Sequence, residues 1–93
     1  MIIGVMVLDL FAESSTSLKD KRHIVASAKE KLRNKFNISI IESGYQDLWQ
    51  RIQLTIVMAS NSKQLVDQVF SQIEDFLLST YPVQLLELKK EFI

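Results

Sequence analysis

Cysteine is absent from this 93-residue sequence, and histidine occurs once. The first absence removes disulfide staples, thiolate metal sites and a cysteine nucleophile. The second excludes a multi-histidine zinc site. Proline occurs once (Pro82) and glycine twice (Gly4 and Gly44), too little for a flexible linker or a low-complexity tract. Charge of one sign is not in excess either: 11 Lys and Arg balance 11 Asp and Glu. That balance excludes a globally basic nucleic-acid binder and a chain disordered by self-repulsion. No apolar run reaches the roughly 20 residues of a membrane-spanning helix. Met1–Phe11 is apolar, but it lacks a basic flank and carries Asp9, so it reads as a strand and not as a secretory signal. The expectation is a soluble, cytoplasmic protein with no cofactor and no membrane partner, folded as one domain over residues 1–93.

What is present is apolar patterning and an uneven spread of charge. Hydrophobic residues make up 47% of the chain. A chain of this size buries about 60–70% of its unfolded surface, so a modest core stands without crosslinks. Between Lys19 and Lys35, seven basic residues (Lys19, Lys21, Arg22, Lys29, Lys31, Arg33, Lys35) face only Asp20 and Glu30, a net of +5. From Gln64 to Ile93 the net is −3. A field concentrated in this way steers anionic partners.

Periodicity gives the order of elements. Residues 2–11 are a continuous β-prone run, the pattern of a central strand buried on both sides. Ser17 followed three residues later by Asp20 resembles a capping box, with Asp in place of Glu. The helix it opens is predicted to run to about Lys35, with Leu18, Val25, Ala28, Leu32 and Phe36 within an arc of about 80°. Ile38–Ser43 reads as a second strand, Gly44 as the turn, and Leu48–Ser60 as a third strand paired with the second in a hairpin. Ser60-Asn61-Ser62 caps a second helix, in which Leu65, Val66, Val69, Phe70, Ile73, Phe76 and Leu77 recur at helical spacing. Gln84–Ile93 is the last strand. The order β-α-β-β-α-β is the ferredoxin-like arrangement of the α+β class, a four-stranded antiparallel sheet with two helices on one face. The first and last strands, the most apolar pair, are expected at or beside the centre.

Helices on one face leave the other face of the sheet open. Strand alternation assigns Ile3, Val5, Val7 and Asp9 to that face from the first strand, and Ser39, Ile41 and Ser43 from the second. In the absence of a bulge it adds Trp49, Arg51, Gln53, Thr55 and Val57 from the third, and Leu85, Glu87 and Lys89 from the fourth. Such a half-apolar surface points to a contact site, whether for a second copy, a protein or a nucleic acid; a merely uneven solvated face is the plain alternative.

Two clusters are candidates for binding. Arg22, Lys29 and Arg33 lie within about 40° of one another on the first helix, and with Lys19 and Lys21 they form a candidate nucleic-acid surface whose affinity would fall with salt. The alternative is a solvated helix face, with Lys21 snorkelling along the apolar arc. The second cluster is the hairpin segment Glu42–Arg51, where Asp47, Trp49 and Arg51 could recognise a ligand by stacking and pairing. Its alternative is a polar turn pinned by Trp49 and an Arg–carboxylate pair. Catalysis has little support: His23 points away from the core arc, Ser14–Ser17 lack an assignable base, and no phosphate-binding glycine motif occurs. The first and third strands carry no aromatic over Ile2–Leu10 and Gln53–Ala59, so base stacking at the sheet centre, as in RNA-recognition modules, is not expected.

Ser17-Leu18-Lys19-Asp20-Lys21-Arg22, together with Phe36–Glu42 and Asp47-Leu48-Trp49-Gln50-Arg51, resembles the YlxP-like family of small bacterial proteins of unknown function. The likeness extends to Leu85–Phe92 and so covers essentially the whole chain. It implies a ferredoxin-like fold and brings no catalytic residues. Genes of this family often lie beside those of translation and ribosome-maturation factors such as ribosome-binding factor A, which implies a place near RNA or the ribosome; likeness of fold does not establish function. The leading expectation is a non-enzymatic binding protein, associated with RNA or a ribosomal subunit through its basic first helix. A homodimeric interaction module using the open face (Val5, Val7, Val57) stands as the alternative, and a small-molecule enzyme comes third.

Overall fold

A computed structural model describes residues 1–93. The elements are β1 (Ile2–Phe11), α1 (Leu18–Lys35), β2 (Ser39–Gly44), β3 (Arg51–Ser60), α2 (Lys63–Thr80) and β4 (Gln84–Phe92). They form the expected ferredoxin-like fold, with one antiparallel sheet in the order β2-β3-β1-β4. β1 is central, and β4 borders it as an edge strand. The third strand is shorter than its periodicity predicts, so Leu48, Trp49 and Gln50 belong to the connection before it.

Alternation sorts β1, β2 and β3 as expected. Met6, Leu8, Leu10, Ile40, Ile52, Leu54 and Ile56 turn inward and are buried with Val25, Ala28 and Leu32 of α1 and Val66, Val69, Phe70, Ile73 and Leu77 of α2. One continuous core therefore joins the sheet to both helices, which is how two amphipathic layers stabilise each other. α2 approaches β1 closely because Gly4 has no side chain: a Cβ there would lie 2.5 Å from Val66 Cγ1 and 3.1 Å from the Phe70 ring.

Both helix starts are capped as the serines predict. Ser17 Oγ accepts from Asp20 N–H at 3.1 Å, and Ser62 Oγ from Leu65 N–H at 3.2 Å. The reciprocal half of the first cap is displaced by one residue. The Asp20 carboxylate accepts from the Thr16 N–H (3.0 Å) and the Thr16 hydroxyl (2.8 Å). Those two bonds hold the Asp20 carboxyl below its ordinary value.

Sequence alternation fails on β4. The register shifts between Asp9 and Leu10, which pair with Glu87 and Leu85 respectively, leaving Leu86 as the extra residue of a bulge. Leu85, expected on the open face, therefore packs against the core, while Leu86 is half exposed. Glu87 and Lys89 remain on the outward side, opposite Asp9 and Val7. Gly44 does not supply the reversed backbone of the hairpin turn; Tyr45 does, with φ of 56°. Gly44 instead closes β2, where the register of the β2–β3 pair shifts between Glu42 and Gly44.

Candidate functional site

The helix α1 buries Lys21, Val25, Ala28 and Leu32. That spacing makes one stripe down the helix, and its first position is a lysine. Lys21 is 1% exposed, so it neither snorkels nor offers its charge to a ligand. Its ammonium donates to the carbonyls of Tyr45 (2.7 Å), Gln46 (3.2 Å) and Arg51 (3.3 Å) and lies 3.0 Å from Glu42 Oε2. The Glu42 contact is charge attraction without a well-directed hydrogen bond, because Oε2 takes no partner of acceptable geometry. A buried ammonium requires such a cage. The effect is to fasten the β2–β3 connection to the first turn of α1. Lys21 therefore leaves the candidate nucleic-acid set and becomes the support of the neighbouring loop.

The other cations of α1 remain outside. Arg22, Lys29 and Arg33 line one shallow groove, together with Val25, Ala26, Glu30, Asn34 and Glu42. The row predicted from the helical wheel is thus brought together in space, on the side of α1 that faces β2. Lys19 is exposed in the first turn. None of Lys19, Arg22, Lys29, Lys31, Arg33 and Lys35 has a carboxylate within 4.0 Å, since the ion pairs of the chain are Lys21–Glu42, Arg51–Asp9, Lys89–Glu87 and Lys90–Asp67. Arg33 has one local bond, from Nη2 to the Ile40 carbonyl on edge strand β2 at 2.9 Å. Lys35 lies over the rings of Phe36 and Phe76. With Lys21 internal, the exposed surface of α1 carries six cations against Asp20 and Glu30.

The hairpin cluster is arranged differently from its polar-turn reading. Arg51 pairs with a carboxylate of β1, not one of the hairpin: Arg51 Nη2 reaches Asp9 Oδ2 at 2.7 Å. This bond, ahead of the smaller influence of Tyr45, keeps the Arg51 guanidinium more firmly protonated than usual. The guanidinium also lies 4.3 Å from the Tyr45 ring centre, a favourable cation–π contact. Trp49 does not pin the turn; it is 51% exposed, beside the 48% exposed Leu48, and Asp47 is exposed without an ion pair. The pinning residue is Lys21. Tyr45 and Glu42, which complete this cluster, belong to the hairpin segment Glu42–Arg51 that the sequence marked, but their link to Lys21 was not read from it. Lys21 could have been found from its place on the 21-25-28-32 stripe, but its partners come from a distant hairpin.

Val5, Val7 and Val57 lie on the open face, each half-buried by its neighbours. Val5 pairs with Val57, and Val7 with Thr55, whose hydroxyl donates to Ser43 Oγ at 2.7 Å. Ile41, 52% exposed, lies opposite Thr55. The face has an aliphatic middle on the two central strands, with Ser39, Ile41 and Ser43 on one edge and Glu87, Lys89 and Glu91 on the other. The only aromatic on a central strand is Phe11, at the end of β1 opposite Arg51. No helix is long and apolar enough to cross a membrane.

Comparison with known proteins adds a family and a fold. Residues 3–90 match the family model described as "Protein of unknown function (DUF503)". The chain is 33% identical over 76 residues to the Bacillus subtilis (strain 168) protein titled "Uncharacterized protein YlxP", covering 82% of this chain and 83% of that one. Among solved structures it is similar to the structural-genomics protein YJCS, with a TM-score of 0.65 at 11% identity and 96% of each chain covered. It is also similar to the de novo designed protein Ferredog-Diesel, with a TM-score of 0.50 at 15% identity over 95% of this chain and 83% of that one. At such identities these two structures establish the fold alone.

Proposed function

The chain belongs to the DUF503 family, and from that premise we propose that it is a non-enzymatic binding protein of the cytoplasm that engages RNA, or RNA in a ribosomal subunit, through α1. The observation that carries the reading is the groove row of Arg22, Lys29 and Arg33, none of which has a carboxylate partner. Surface cations are commonly neutralised by neighbouring carboxylates; a neutral chain that leaves six together on one helix has sorted its charge. Phosphates spaced along a strand are the matching polyanion, because neutralising them releases condensed counterions. Arg33, steadied by the Ile40 carbonyl, gives that row a fixed end.

A second reading is homodimerisation through the open face. It is favoured by the aliphatic patch formed by Ile3, Val5, Val7 and Val57, which Ile41 extends onto β2 and which the charged residues Glu87, Lys89 and Glu91 of β4 border, the layout of a protein interface. Both readings can hold together, since α1 lies on the opposite side of the sheet.

Filter binding to ribosomal RNA fragments tests the first reading. Wild type should retain RNA at low salt, and a variant carrying Arg22→Glu, Lys29→Glu and Arg33→Glu should lose it. Equal retention by both, or none by wild type, would contradict the proposal. Light scattering tests the second: a mass that doubles with concentration in wild type and not in Val5→Glu supports it, and a strictly monomeric wild type opposes it.

A further inference from the structure

The sheet has two edges, and they differ. β2 is six residues long, and Arg33 Nη2 already occupies its Ile40 carbonyl. β4 is nine residues long and borders only β1. Ile3 and Ile93 exchange both of their backbone bonds, at 3.2 and 2.8 Å. Such pairs alternate along an antiparallel ladder. With the register unbroken from Gly4 to Asp9, the bonded pairs that follow are Val5–Glu91, Val7–Lys89 and Asp9–Glu87. The N–H and C=O groups of Leu88, Lys90 and Phe92 therefore point away from β1, and no backbone group elsewhere in the chain bonds to them. A free row of this kind is a template for another strand.

The charges of β4 decide which strand fits. A second copy related by a two-fold axis normal to the sheet would lay its own β4 antiparallel to this one. With the axis on Leu88, the middle residue of Gln84–Phe92, the whole strand is paired. Glu87 then lies opposite the second copy's Lys89, and Lys89 opposite the second copy's Glu87. Both side chains are exposed, and they lie 3.6 Å apart within one chain, so each can turn to the partner. Leu86, half exposed at the bulge, falls opposite the second copy's Lys90. No like charges meet. Moving the axis to Lys89 sets Lys89 against itself and Glu87 against Glu91, and moving it to Glu87 sets Glu87 against itself; like charges directly opposite are destabilising. Charges on an edge strand ordinarily deter pairing. Here they deter the neighbouring registers and favour one.

We propose that two copies of the chain join through β4, antiparallel about Leu88, in a sheet continuous across both, with Glu87 and Lys89 forming two reciprocal ion pairs. This surface is distinct from the open face of the second reading above. It also leaves the cationic groove free, since the wall of that groove includes Glu42 of β2, at the opposite edge of the sheet.

Sedimentation equilibrium of the full chain at low salt measures the association. Wild type should form dimers. Glu87→Lys and Lys89→Glu should each weaken them about tenfold, because the two-fold turns two attractive pairs into repulsive ones at once. An equimolar mixture of the two variants, or both changes in one chain, should restore association, since opposite charges again face each other. Lys90→Pro removes an edge N–H that takes no part in the β1 ladder and should abolish the dimer. Circular dichroism checks that this variant folds, and the charge variants, changed at exposed positions, carry the test if it does not. A monomeric wild type overturns the inference together with the open-face reading. A dimer that survives in folded Lys90→Pro overturns the edge inference alone, and its loss in Val5→Glu would then assign association to the open face. A dimer that both single reversals leave unchanged, or that the mixture fails to restore, overturns the register and the proposal with it.

Discussion

Replacing Lys21 by Met keeps the length of the side chain and removes its ammonium. The apolar stem still fills the first position of the α1 stripe, so little packing is lost. What is lost is the partner of Glu42 and the donor to the Tyr45, Gln46 and Arg51 carbonyls. Removing one member of a buried ion pair costs about 3–5 kcal/mol. Glu42 is 19% exposed and can regain some water, which places the loss near the lower end, about 3 kcal/mol. A domain of this length has a total stability of about 5–14 kcal/mol, so the variant should fold and should melt about 12–24 °C lower. Thermal unfolding followed by circular dichroism measures this directly. Lys19→Met, at an exposed position of the same turn, is the control and should stay within about 0.5 kcal/mol of wild type. Adding Glu42→Leu to Lys21→Met should restore part of the loss, because the stranded carboxylate is removed with its partner. A melting temperature for Lys21→Met within about 4 °C of wild type, a difference of less than about 1 kcal/mol, would show that the ammonium reaches water and that the loop has some other anchor.

Gly4→Ala should destabilise by about 1–3 kcal/mol through overpacking, since its methyl would meet Val66 at 2.5 Å; urea unfolding reads it as a lower midpoint with an unchanged slope. The Asp20 carboxyl titrates lower in the folded state than its ordinary value of 3.8. Its contribution is therefore complete above that value and is lost as pH falls through the lower folded one. Melting temperature should accordingly fall more steeply in that acid window for wild type than for Asp20→Asn. Arg51→Ala should leave the Asp9 carboxylate without its 2.7 Å partner and lower the unfolding midpoint in the same urea titration.

The parts of this fold that were legible in the sequence are those governed by local periodicity. β1 was delimited by its apolar run, α1 by Ser17 and Phe36, and α2 by Ser62. The inward and outward sets of β3 were read correctly because Ile52, Leu54 and Ile56 alternate without interruption. Leu85 was misplaced because a bulge depends on how β4 meets β1, and nothing in Gln84–Phe92 alone marks Leu86 as the extra residue. The hairpin turn was assigned to Gly44, whereas the fold keeps that glycine in β2 and bends at Tyr45. The cationic row was visible because one helix carries it. Lys21 was half visible: its angle placed it on the apolar arc, but length and charge argued for snorkelling. Only the return of the β2–β3 connection, 24 to 30 residues later in sequence, supplies the carbonyls that make its burial tolerable.

The salt dependence of RNA binding tests the central claim most directly. A titration of unpaired RNA between low and moderate salt gives the slope of log affinity against log salt, about −0.7 for each phosphate neutralised on a single strand. With Arg22, Lys29 and Arg33 each engaging one phosphate, the slope for wild type should include about −2 from this row, and changing all three to Gln should remove that part of it. Affinity that is indifferent to salt, or a slope that survives the loss of the three cations, would contradict the account.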